Sequence, residues 1–243
     1  MRTRPWFLIA VLVLVALVSW AWIVAMARDM YGPMTGASAW MMTPVWNPPH
    51  LFLLWAMWAV MMTAMMLPSA APMVLLARGE GARPYLLALG YLVAWAAFSL
   101  AAVSLQVMLG RRLILTPMMT VSSRPAAAVL LALAGIYQWT PLKRGCLATC
   151  QAPMAFLTRR WRSGSLGALR MGAEHGVSCV GCCWALMLLL FAGGVMNLIV
   201  IAALTVFVAF EKLIPVGPWG ARVSGIALIA LAVWMIVTPA IAA

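Results

Sequence analysis

The chain has almost no acid. Among its 243 residues only Asp29, Glu80, Glu174 and Glu211 are acidic, and charged residues of either sign make up 8%. A soluble domain devotes about 25% of its residues to charge, so a surface facing mainly water is excluded. Histidine is nearly missing as well: His50 and His175 are the only two, too few for a His-rich di-iron or haem centre. The GxGxxG, P-loop, HExxH and GxSxG signatures are absent, which removes the usual supports of nucleotide-dependent and hydrolytic mechanisms. There is no internal repeat and no low-complexity linker, so residues 1–243 read as one membrane domain.

What fills the chain is apolar. Hydrophobic residues make up 66% and the mean hydropathy is +1.05, so the solvent over most of the surface is the hydrocarbon of a lipid bilayer. A helical span takes roughly 20 apolar residues. The predicted fold is therefore all-α, a polytopic transmembrane helical bundle with about seven spans, six being possible. The spans fall near 6–27, 50–76, 84–110, 125–140, 169–193, 196–210 and 223–238. The first is longer than a signal-peptide core and lacks a clear cleavage site. Pro68 and Pro72 are expected to bend or break the end of the second span. The fourth is short, and its loss would invert everything after it.

The formal net charge of +12 does not point to nucleic acid, because the basic residues sit in short clusters between apolar runs. With the N-terminus inside, about twelve Lys/Arg lie on the cytoplasmic side and four outside, at Arg28, Arg111, Arg112 and Arg124. The positive-inside rule favours that orientation, with the C-terminus outside.

The cysteines carry the chemical signal. Cys146 and Cys150 stand four apart after the fourth span, and Cys179, Cys182 and Cys183 lie in the fifth behind His175. Helical spacing puts His175, Cys179 and then Cys182 or Cys183 on one stripe, roughly 12 Å long at 1.5 Å per residue. A single buried thiol reads as a small hydrophobe. Five thiols in two clusters with an imidazole in phase read as a metal or redox set, since thiolate and imidazole suit Cu(I) and Zn(II).

Other positions stay open. Glu174 and His175 are either site residues within a span or groups hydrated at the headgroup level. Met57, Met61 and Met65 form a row beside Met62 and Met66; they either pack as flexible gap-fillers or pass a soft ion along the helix. Glu211 either pairs with Lys212 or a loop arginine at the interface, or reaches into the bundle. Asn197 reads as an interhelical hydrogen-bonder.

Three blocks also carry a resemblance. They are Trp58-Ala59-Val60-Met61-Met62-Thr63-Ala64-Met65-Met66-Leu67-Pro68, the stretch from Pro141 through Cys146 and Cys150 to Pro153, and Gly172-x-x-x-Gly176-x-x-Cys179-x-Gly181-Cys182-Cys183-Trp184 continuing to Asn197. Glu211-Lys212 closes the pattern. Over roughly Leu51 to Lys212 the chain resembles a bacterial membrane family, the domain of unknown function 2182. That family is described as predicted metal-binding integral membrane proteins and sometimes labelled copper chaperones. The resemblance implies metal binding, with copper the usual suggestion.

The leading expectation is a copper-binding protein of the bacterial inner membrane that holds or hands over Cu(I), with zinc as the alternative ion. Such a protein would not be an enzyme by itself, and would serve as accessory to, or subunit of, a membrane oxidase or monooxygenase. Its metal residues would be Cys146, Cys150, His175, Cys179, Cys182, Cys183 and Glu174, with Met61 and Met65 as a transfer route. Its partners would be the bilayer and a membrane protein or complex. The alternatives are a membrane thiol–disulfide oxidoreductase using the Cys pairs and a non-catalytic packing subunit.

Overall fold

Proline marks where this chain turns into helix. In the computed structural model α1 (Pro5–Met30) is followed by the short α2 (Ala37–Met41), then α3 (Pro48–Ala77) and α4 (Pro84–Arg111). After α5 (Arg124–Tyr137) come α6 (Pro141–Gln151), α7 (Pro153–Arg160), α8 (Gly164–Met187), α9 (Leu189–Gly193), α10 (Leu198–Leu213) and α11 (Gly217–Val237). Proline at the first helical positions loses nothing, because its missing N–H would have had no partner there. Side-chain caps start several of these helices: Asn47 caps α3, Ser123 caps α5, Thr140 caps α6 and Asn197 caps α10. Asn197 thus spends its oxygen on the backbone N–H groups of Ile199 and Val200, not on a neighbouring helix as expected.

The structure describes residues 5–32, 34–41, 43, 46–78, 83–116, 119–214 and 217–238. The basic leader at 1–4 and Gly79–Ala82, which includes Glu80, lie outside the described residues. Among the described residues there is no strand, only an isolated bridge between Leu115 and Val121.

Against the expected seven spans, with six possible, five helices among the described residues are long and apolar enough to cross a membrane: Trp6–Met30, Pro48–Ala77, Pro84–Arg111, Gly164–Gly193 and Trp219–Val237. A sixth exists if α5 and α6, bent by 68° where they join, count as one broken span. α5 has 14 residues because Thr140 and Pro141 start a new helix directly after it. α10 has 16 residues, roughly 24 Å at 1.5 Å per residue, against a hydrocarbon core of about 30 Å. α3, by contrast, continues through Pro68 and Pro72 to Ala77.

Contacts define two ends. At one end Val121 N–H donates to Phe191 O at 2.8 Å, Gly194 lies against Thr120, and Trp46 lies against Gly110. This far end gathers the starts of α3, α5 and α10. At the other, basic end Phe156 and Leu157 of α7 share a buried cluster with Leu8, Ala77 and Leu87. The short helices α5 and α10 both start at the far end, and at their other ends Gln138, Glu211 and Lys212 are buried.

The tightest seam is between α4 and α8. A Cβ on Gly90 would overlap the carbonyl of Leu169, and one on Gly172 would overlap that of Leu87. At Gly176 it would lie 2.6 Å from Ala94 Cβ. Small residues let two helix backbones meet in this way, and the seam sets Tyr91 of α4 against Cys179 of α8.

Candidate metal centre

On α8 the i, i+3, i+4 spacing of Cys179, Cys182 and Cys183 places all three on the buried face, each 1% exposed. The Cys182 and Cys183 thiols donate to Cys179 O, at 3.1 and 2.9 Å, which fixes their rotamers against their own helix. α6 crosses beside them with Cys146 and Cys150, both half-buried. Cys146 Sγ is 2.7 Å from where a Cβ on Gly181 would stand, so the glycine makes room for that thiol. The Cys150 side chain adjoins those of Cys179 and Cys182. All five cysteines are free thiols, and two helices bring them into one volume.

Two further groups converge on Cys179. Tyr91 Oη lies 2.9 Å from Cys179 Sγ and also donates to Met66 O at 3.1 Å. From α10, Lys212 Nζ donates to Cys179 Sγ at 2.8 Å, to Ser69 Oγ at 3.3 Å and to Met66 Sδ at 3.6 Å. Its neighbour Glu211 accepts both its carboxylate bonds from Lys143 Nζ, at 2.7 and 2.8 Å. The Lys143 side chain is 0% exposed. Gln151 Nε2 donates to Glu211 O at 2.9 Å, so the cysteine-bearing α6 is tied to the end of α10 at two points.

The family-model comparison matches residues 55–235, a stretch holding all five cysteines, Lys143, Glu211 and Lys212. The chain belongs to the family described as PpoB2, copper chaperone. No curated protein and no solved structure matches it. The family's description and the donor set are chemically consistent, since clustered thiols with a thioether alongside suit a soft monovalent ion.

The other sequence-nominated residues divide. His175 is buried one turn before Cys179, against the rings of Tyr91 and Phe156, with its Nδ1 unpartnered. Glu174 does not join the thiols: its carboxylate takes Arg160, Arg162 and Arg170 at 3.4, 3.0 and 3.2 Å at the basic end. Met61 and Met65 are fully buried on α3, but the thioether that reaches the cluster is Met66, from the second row. Glu211 and Lys212 do not pair with each other at an interface; each is buried with a different partner. Among the described residues no three His, Cys, Asp or Glu side chains stand in a ready-made coordination shell. The sulfurs are gathered, and an ammonium lies among them.

Sequence reasoning missed Tyr91, Lys143 and Lys212. Lys143 was hidden among arginines that stay solvated. Lys212 had one signal, an adjacent Glu-Lys pair closing an apolar helix too short to carry it to the membrane surface.

Proposed function

We propose that this chain is an integral membrane protein that holds Cu(I) on thiols inside its bundle and passes it to a membrane partner. The observation carrying this reading is the convergence of five reduced cysteines from α6 and α8 on a buried cluster beside the Met66 thioether. Cys150, Cys179 and Cys182 would supply the first ligands, because their side chains adjoin. Cys146 and Cys183 flank them. Copper is the cargo, and softness is the reason: thiolates and thioethers favour Cu(I), whereas carboxylates and water suit hard ions. Loading requires thiols to lose protons as metal binds.

A groove passes beside the cluster. A cavity of about 800 Å³ runs between α6, α7 and α8 and is lined by Gly145, Thr149, Val177 and Ser178, with Arg159 and Arg160 towards the basic end. Each of the first four is the immediate neighbour of a cysteine or one residue further off. The Lys/Arg excess supports a cytoplasmic basic end, and a reducing compartment would keep the thiols beside the groove free.

The test is the metal content of protein purified anaerobically in detergent, beside a Cys179→Ser/Cys182→Ser variant that retains its helical signal. Copper near one or a few equivalents, lost in the variant, is the expected result. Copper retained in the variant would remove the ligand assignment. A metal-free wild type with five reactive thiols would favour thiol–disulfide exchange instead.

A further inference from the structure

At the far end of the bundle lies a second, separate cavity of about 230 Å³, lined by Met41, Trp46, Leu54, Gln106 and Met119 among others. Both methionines are nearly fully buried, at 3% and 5% exposed. Beside them His50 is 1% exposed, held between the rings of Trp40 and Trp46 with centroids 5.9 and 5.8 Å away. Its Nε2 lies 3.2 Å from Met41 O. A carbonyl only accepts, so Nε2 carries the hydrogen and Nδ1 of the neutral ring presents a bare lone pair. That Nδ1 is buried and has no partner. An imidazole that donates through one nitrogen to a backbone carbonyl and leaves the other free has the arrangement metal-ligating histidines use.

The lining also indicates which ion. Among the described residues no carboxylate lines the cavity; of its side-chain oxygens, Thr43 Oγ1 donates to Trp40 O, Thr116 Oγ1 bonds Thr120 Oγ1, and Gln106 accepts from Trp58 Nε1 at 2.7 Å. Hard dications need several oxygen ligands; the two thioethers of the lining, with an imidazole beside Met41, favour a soft monovalent one. Leu54, in the wall, shares a helix face with Met57, Met61 and Met65 at i+3, i+7 and i+11, and all three are buried. That face covers roughly 17 Å of α3 at 1.5 Å per residue and ends next to Met66, whose sulfur meets Lys212.

We propose that the far-end cavity is a second site for a soft monovalent cation, held by the Met41 and Met119 thioethers with His50 Nδ1, where metal joins the buried thioether row. The direction of travel rests on the proposed function; the site itself does not.

The experiment titrates Ag(I), a redox-inert ion of the same charge and softness, into full-length protein with all five cysteines changed to Ser, read by equilibrium dialysis. The expected result is a single retained equivalent, weakened at least about tenfold by Met41→Leu/Met119→Leu, with no retention of Zn(II) or Ca(II). Leu conserves volume, so the pair leaves the fold intact. No Ag(I) retained, or Ag(I) indifferent to the methionine pair, overturns the site. Should the cysteine-free chain fail to fold, the same methionine pair is made with the thiols present. There it is expected to lower Ag(I) stoichiometry by one equivalent and slow Cu(I) loading at least about tenfold. Unchanged stoichiometry and unchanged rate overturn the proposal. A thiol cluster that binds no copper would defeat the proposed function while leaving the far-end titration readable.

Discussion

Two glutamates in this chain have opposite surroundings. Glu174 sits at the basic end among three arginines, two of them more than half exposed, at 60% and 64%. Glu211 sits inside the bundle with one lysine that no solvent reaches. The sequence left both open, Glu174 as a site residue or a group hydrated at the headgroup level, and Glu211 at an interface or reaching into the bundle. The difference shows that a carboxylate's role here is set by where its helix ends. α8 begins at Gly164, so Glu174 comes while that helix still borders the basic end. α10 starts at the far end and stops short, so its last turn delivers Glu211 into the core.

The comparison can be broken most directly at the buried pair. Lys143→Met or Glu211→Gln alone leaves one partner without its counter-charge, and each is expected to cost about 3–5 kcal/mol, seen as a lowered thermal midpoint in detergent. The double variant Lys143→Met/Glu211→Leu should recover most of that loss. Single variants melting with the wild type would show that the pair is not buried. Next in size is Lys212→Met, which removes a charged donor from Cys179, Ser69 and Met66 at similar volume. Its expected cost is about 1.5–3 kcal/mol, read by the same unfolding curve; no loss would mean those sulfur contacts are incidental.

The smallest effect belongs to Glu174. Its exposed pairs predict less than about 1 kcal/mol for Glu174→Gln, shrinking further in high salt. The same variant should leave copper content unchanged. Loss of copper there would restore Glu174 to the metal centre and erase the distinction between the two glutamates.

The long apolar runs were legible, with α1, α3, α4, α8 with α9, and α11 each within a few residues of the expected spans. Hydropathy over about 20 residues is a strong signal. The fifth span was started at Leu169 and not Gly164 because Arg170 and the loop arginines mask five helical residues whose outer face is solvated. The thiol stripe on α8 was equally readable, since spacing alone puts Cys179, Cys182 and Cys183 on one face. What spacing could not supply was Lys143 meeting Glu211 across 68 positions, or Lys212 meeting Cys179 across 33. Each lysine is unremarkable in its own stretch of sequence and becomes buried only through a helix that stops in the bundle. The choice between Met65 and Met66 was likewise beyond reach, because adjacent residues on α3 differ by a rotation that only the neighbouring α10 resolves.

The glycine seam divides the bundle mechanically. Gly90, Gly172 and Gly176 bring α4 and α8 so close that neither can slide or roll without driving one backbone into the other. Those two helices behave as a single anvil, and Tyr91 and the three thiols of α8 are fixed to it. α6 packs on α8 with Cys146 against Gly181, α10 reaches it through Lys212, and α6 and α10 are latched to each other by Lys143–Glu211 and Gln151. The ties between α6 and α10 thus make Cys146, Cys150 and Lys212 members of one linked unit, set against the face that holds Tyr91 and the α8 thiols.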